Sequence, residues 1–147
     1  MKILFVCAGN TCRSPMAEAM MNAKLASAGR TDIACASAGT HVWPGDTASR
    51  DTVQEMALRG LSVEGRMARQ LSEAMGAEAD LILTMTRGVS QAVLAQLPEE
   101  KAKVHTLCAY VGEEGDVEDP YGCGEEVYHE TANQLDGLLE KLLAKLG

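Results

Sequence analysis

The sequence predicts an α/β fold: a four-stranded parallel sheet flanked by helices on both faces. Three observations carry this. Short apolar runs alternate with longer segments of helical pattern along the chain, which implies right-handed crossovers between parallel strands. The first run, Ile3-Leu4-Phe5-Val6, is continuous rather than alternating, as a strand buried on both faces requires. The last segment, from Glu125 to about Leu146, sets Val127, Thr131, Leu135, Leu138, Leu139, Leu142 and Leu146 at helical spacing.

Taken in order, Lys2 to Val6 reads as the first strand. Ser14 can cap the helix that follows, with Pro15 at its first position, where a missing N–H costs nothing. That helix runs through Met16 and Met20 to about Ala28. Asp32 to Ser37 reads as the second strand, ended by Ala38-Gly39, and a loop with Trp43-Pro44-Gly45 comes next. Asp51 to Leu58 reads as a helix closed by Gly60, and Leu71 to Gly76 as a short helical piece. Asp80 to Met85 is the third strand, Val89 to Leu97 a helix, and Lys103 to Leu107 the fourth strand. A Gly- and acid-rich loop spans Gly112 to Gly124. In the last helix Glu125 and Glu126 fall in the first turn and Lys141 and Lys145 near the end, in accord with the helix dipole.

The 147 residues suit one domain, 1–147, with a real core. Aromatic residues are only 3%, so that core is built from Leu, Val, Ile, Met and Ala. A formal charge of −8 argues against a general nucleic-acid binder. No apolar run approaches a membrane span, and the N-terminal run lacks the length of a signal-peptide core. The five cysteines fit no disulfide framework and point to a reduced, cytoplasmic setting. Without a Cys-x-x-Cys pair, and with His41, His105 and His129 scattered, no zinc site is expected.

The chemistry concentrates in Cys7-Ala8-Gly9-Asn10-Thr11-Cys12-Arg13-Ser14-Pro15, between the first strand and the first helix. In an open parallel sheet ligands bind at the carboxyl ends of the strands, where this loop lies. A strand-to-helix loop turns successive N–H groups inward and adds the positive end of the helix dipole, the physical basis of an anion cradle. Gly9 opens backbone conformations closed to other residues, and Asn10 tolerates a left-handed one while bracing the loop through its amide. Arg13 supplies a planar fork for two phosphate oxygens. The same field favours Cys7 as a thiolate nucleophile, and Ser14 can donate its hydroxyl to the sulfur. The bland alternative is a buried cysteine at a strand end and an unrelated surface arginine. The surrounding Gly-Asn, Ser-Pro, strand and helix signals weigh against it. A departing group needs a proton, and Asp119, in Asp119-Pro120-Tyr121-Gly122, is the best-placed acid; the alternative is that Asp-Pro merely marks a turn.

These segments together resemble the low-molecular-weight protein tyrosine phosphatases over essentially the whole chain. The resemblance rests on Val6 to Glu18, on Ser37-Ala38-Gly39 and on Asp119-Pro120-Tyr121, which stand in the family's order. It implies a phosphocysteine mechanism with no metal and no cofactor. It implies Cys7 as nucleophile, Arg13 as phosphate clamp and Asp119 as general acid and then base. It further implies that Ala8, Gly9, Asn10, Thr11, Cys12 and Ser14 surround the substrate phosphate and that Tyr121 walls the pocket. Its substrates would be phosphorylated proteins, with no nucleic-acid or membrane partner and a monomer favoured.

Thr11 departs from the apolar residue usual in that family and resembles the bacterial protein-arginine phosphatase branch, as do Gly115 to Pro120 and Tyr128. An apolar side chain there suits the flat ring of phosphotyrosine, whereas threonine offers a hydroxyl to a polar guanidinium. Phosphoarginine is therefore the first-choice substrate and phosphotyrosine the alternative, with Thr11 then a neutral variant. Thiol-dependent arsenate reductases resemble the same scaffold but need relay cysteines, and Asp80 to Gln96 holds none. A non-catalytic phosphate-binding module would need neither the thiol nor the acid. The resemblance also raises a reversible Cys7–Cys12 disulfide, against the alternative of Cys12 as a packing residue. Cys35 is expected to be inert in a core strand. Trp43 can either wall the pocket or pack.

Overall fold

The first apolar run becomes the middle of the sheet. In the computed structural model, which describes residues 1–147, β1 (Lys2–Cys7) lies between β2 (Ala34–Gly39) and β3 (Leu81–Thr84), with β4 (Val104–Thr106) beyond β3. All pairings are parallel, and the register sets Cys7 beside Gly39 and Val6 beside Thr84. Ile3, Phe5 and Cys7 face one layer of helices: α1 (Arg13–Ser27), α2 (Arg50–Leu58), the short α5 (Leu107–Tyr110) and α6 (Glu125–Leu146). Leu4 and Val6 face the other, formed by α3 (Glu73–Glu78) and α4 (Arg87–Gln96). A strand covered on both sides has no solvent face, so its apolar run does not alternate.

The larger layer is filled as the aromatic-poor composition demands. Met16, Met21, Met56 and Met85 are fully buried beside Phe5, the only phenylalanine; their flexible thioethers fill gaps that rings would otherwise occupy. From α6 the stripe Thr131, Leu135, Leu138, Leu139 and Leu142 is buried, joined by Tyr128 and Ala132, while Val127 and Leu146 at its ends are half-buried.

Four helices begin on a side-chain cap. Ser49, Ser72, Thr86 and Thr106 accept from the N–H of Thr52, Met75, Val89 and Ala109 at 3.2, 3.2, 3.0 and 3.1 Å. The expected cap at Ser14 does not form. Helix α1 starts at Arg13 behind Cys12, without any side-chain cap, which makes Ser14 its second residue and Pro15 its third. Pro15 still falls in the first turn, where an N–H has no acceptor within the helix. The Ser14 hydroxyl is committed elsewhere, as described below. The fourth strand also ends earlier than expected, because Leu107 opens α5, and a 3-10 turn covers Pro98–Lys103.

The chain leaves β1 toward β2 on one side and later returns to place β3 on the other. Such a reversal opens a crevice at the carboxyl end of the central strand. Cys7 is the last residue of that strand.

Candidate active site

The loop after β1 is held by its carbonyls. Cys7 O accepts from Thr40 N–H (3.0 Å), Ala8 O from His41 N–H (2.9 Å), Thr11 O from Ser49 N–H (2.9 Å) and Cys12 O from Met16 N–H (3.1 Å). In a trans peptide the next N–H points the opposite way, and the chain has no cis bond. The loop's amides are thereby aimed away from these partners. The N–H groups of Gly9, Thr11, Cys12, Arg13 and Ser14 donate to nothing within the chain. Together with the uncapped start of α1 they form a ring of donors suited to a tetrahedral oxyanion. Gly39 makes the approach possible: a Cβ there would stand 2.5 Å from Ala8 O and 3.0 Å from Asn10 N.

At the base of this ring the Cys7 sulfur is buried and lies 2.8 Å from Ser14 Oγ, and it accepts from the Asn10 N–H at 3.3 Å. Asn10 takes the left-handed conformation expected of it, with φ of 56°. Its side chain is a hub. Nδ2 donates to Ser14 Oγ (2.8 Å) and Ser37 Oγ (3.1 Å), while Oδ1 accepts from Arg69 N–H (2.9 Å) and Arg66 Nη1 (3.3 Å). Ser14 Oγ has two acceptors for its one proton, the Cys7 sulfur at 2.8 Å and the Ala38 carbonyl at 3.4 Å, and a thiolate at Cys7 would draw it to the nearer one. Beneath them Ser37 donates to Glu18 (2.7 Å), and Arg66 Nη2 reaches both Ser37 Oγ and Glu18, each at 2.6 Å. The Glu18 carboxylate and the Arg66 guanidinium neutralise each other in a half-buried setting.

Arg13 is 5% exposed, and its Nη1 donates to the carbonyl of Val117 at 3.0 Å. Its buried Nε has no partner in the chain. A buried guanidinium N–H left free costs free energy unless an anion takes it, which marks this edge of the fork as a ligand contact. Nη2 lies 3.9 Å from Asp119 Oδ2, so the expected acid stands over the loop. The Asp119 side chain is 55% exposed and its other oxygen accepts from Tyr121 N–H at 3.1 Å, an Asx turn that orients the carboxyl.

Beside the loop opens a cleft of about 760 Å³, bordered by Thr11, Trp43, Asp46, Asp51, Tyr121 and Tyr128. Thr11 forms its border with the phosphate loop, and Tyr121 reaches it from the acid loop. Trp43, 77% exposed, stands at the cleft and not in the core. Cys12 faces the other way: its sulfur is buried, 3.0 Å from the Tyr128 hydroxyl and 3.5 Å from Ser49 Oγ, so it meets the loop interior only through its N–H. Burial pushes the Tyr128 phenol well above its ordinary range. Cys35 is half-buried on the edge strand β2 and not in the core; burial still pushes its thiol up to about 12, which keeps it unreactive.

Of the residues singled out in the sequence, Cys7, Asn10, Arg13, Ser14 and Asp119 come together, Thr11 and Tyr121 border the cleft beside them, and Cys12 turns its side chain away. Arg66, Ser37, Ser49, Thr52 and the Val117 carbonyl hold the site as well, and no local spacing announces them. Glu18 and Ser37 do stand within the motif segments, where the sequence assigns them no role.

An oxyanion cradle with a thiol at its base, at the switch point of an open parallel sheet, defines a cysteine-dependent phosphatase scaffold. The chain belongs to the low molecular weight phosphotyrosine protein phosphatase family, whose model matches residues 2–147. It is 36% identical over 147 residues to the protein-arginine-phosphatase of Bacillus subtilis, across 99% of this chain and 97% of that one. It is 42% identical over 155 residues to a putative low molecular weight protein-tyrosine-phosphatase of Synechocystis, across 100% and 97% of the two chains. The solved structure of a YwlE arginine phosphatase mutant with a phosphorylated active-site serine matches with a TM-score of 0.95 at 35% identity, covering 99% and 95% of the chains.

Proposed function

We propose that the chain hydrolyses phosphoarginine in proteins through a phosphocysteine intermediate. The observation that supports the substrate choice is Thr11, which lines the cleft with a hydroxyl, 3.5 Å from the Cys12 sulfur, that a guanidinium could use and a phenyl ring could not. The Cys7 thiolate attacks phosphorus in line with the bond to the guanidinium nitrogen. The loop N–H groups and Arg13 hold the equatorial oxygens as charge develops on them. Asp119 gives its proton to the departing nitrogen, the P–N bond breaks, and phosphate remains on Cys7. Asp119, now a carboxylate, takes a proton from the water that attacks phosphorus; the S–P bond breaks and Ser14 donates to the returning thiolate. The phosphorylated serine of the YwlE mutant supports a covalent phospho-enzyme of this kind. A thiol nucleophile belongs in a reducing, cytoplasmic compartment, and all five cysteines are unpaired.

The second reading, phosphotyrosine, is favoured by a different observation. Trp43 and Tyr121 are exposed at the cleft and offer aromatic faces to a substrate ring. Initial rates on matched phosphoarginine and phosphotyrosine peptides decide between them. Wild type should prefer phosphoarginine, and Thr11→Ile should shift the preference toward phosphotyrosine. A wild-type preference for phosphotyrosine would make the arginine assignment wrong.

A further inference from the structure

Asn10 braces the phosphate loop from below, but the Thr11–Cys12 half of the loop touches none of that network. It is held instead by the start of α2. Ser49 N–H and the Thr52 hydroxyl both donate to Thr11 O, each at 2.9 Å. Thr52 is fully buried, and its hydroxyl, with its proton given to Thr11, accepts from Ser49 Oγ at 2.8 Å. Ser49 Oγ in turn accepts from Thr52 N–H and lies 3.2 Å from the Tyr128 hydroxyl. A helix cap alone needs the Ser49 side chain and not the Thr52 hydroxyl. The second donor on one carbonyl is thus surplus to capping α2.

We infer that Thr52, acting with Ser49, is a positioning residue for the phosphate loop: by gripping Thr11 O it keeps the Cys12 N–H turned toward the substrate phosphate. The link is the rigid Thr11–Cys12 peptide, whose carbonyl and N–H point in opposite directions. The Cys12 N–H has no acceptor in the chain, so its orientation carries no other task. A carbonyl held by two donors cannot swing when an anion arrives, and the N–H needs no reorganisation at the moment of reaction. This rests on the phosphatase reading of the loop, and adds to it a residue that touches neither substrate nor sulfur.

The test uses the full chain, with inorganic phosphate as the probe. Inhibition of aryl phosphate turnover and thermal unfolding are read side by side. Thr52→Val keeps the side-chain shape and removes the donor. It is expected to raise the inhibition constant of phosphate about tenfold and to lower kcat/KM at least as much, the loss of one hydrogen bond's positioning. Thr52→Ser, which restores the hydroxyl, should recover both to within about threefold. In wild type the Cys12 amide resonance should move on phosphate addition, a measurement that stands even if the valine variant fails to fold. An immobile Cys12 amide, a valine variant that binds phosphate and turns over like wild type, or a serine variant as impaired as valine would each overturn the inference while wild-type turnover leaves the phosphatase reading standing. A wild type that neither turns over aryl phosphate nor binds phosphate removes that reading, and the inference with it.

Discussion

The phosphate loop and the acid loop meet at Arg13 and are built by opposite means. The first is locked: Asn10, Ser14 and Ser37 are at most 1% exposed, and each of their side-chain polar groups has a named partner. The second is tethered at a short stretch: Asp116 accepts from Arg87 N–H and Gln134 Nε2, each at 3.1 Å, and Pro120 is buried. Val117 is fully buried, donates its N–H to Met85 O at 2.8 Å and accepts from Arg13, while Asp119 and Tyr121 beyond it are mostly exposed. The difference follows from the work each would do. A phosphate group is the same in every substrate and rewards a preorganised cradle. The group that leaves differs from substrate to substrate, so the half that meets it can be open.

Cys7→Ser strikes the locked half at its reactive atom. Turnover should fall by about 10⁴-fold or more while phosphate binding survives, since the donors remain. Retained turnover by initial-rate assay would remove the covalent mechanism. Asp119→Asn strikes the open half. We expect kcat to fall about 10²- to 10³-fold on substrates with poor leaving groups and much less on good ones. Stability by urea unfolding should change by less than about 0.5 kcal/mol, because the side chain is largely in solvent. An equal loss across leaving groups would deny Asp119 the proton.

Asn10→Ala tests whether the lock is real. It leaves Ser14 without its donor and Arg69 N–H without its acceptor, removes one of Ser37's two donors, and puts alanine at a positive φ, so stability should fall by about 3 kcal/mol and phosphate inhibition should weaken about tenfold. Unchanged phosphate affinity would show that the loop holds its shape unaided. The smallest effect concerns pH and lies outside both loops. The Cys35 thiol is pushed from 9.0 to about 12 in the folded chain. The unfolded chain therefore loses this proton first, and stability should decline as pH rises from about 9 toward 12. Cys35→Ala should flatten that decline in unfolding curves taken at pH 8 and pH 10.

What could be read in the sequence follows the same division. The loop from Cys7 to Ser14 is contiguous, so its thiol, its left-handed Asn10 and its guanidinium were legible from spacing and conformational preference. The parallel sheet was legible because β1 is apolar on both faces. Ser14 was misplaced as a cap because capping is a local rule, and the claim that overrides it, the sulfur at 2.8 Å, is set by how the loop closes. Arg66, Thr52 and Val117 reach the loop across 56, 41 and 104 residues of chain, and no periodicity encodes such contacts. Asp119 lay between: a turn signal by itself, an acid once the resemblance supplied its counterpart.

The tether at Asp116 and Val117 has a consequence for engineering. Gly112 and Gly115 before it, and Gly122 and Gly124 after it, all take positive φ, so the backbone changes direction on both sides of this anchored stretch. A segment so bounded is a cassette. Exchanging residues 118–123 for those of a relative, with Asp116, Val117 and Pro120 retained, would transplant the wall that meets the leaving group onto an unaltered grip for phosphate.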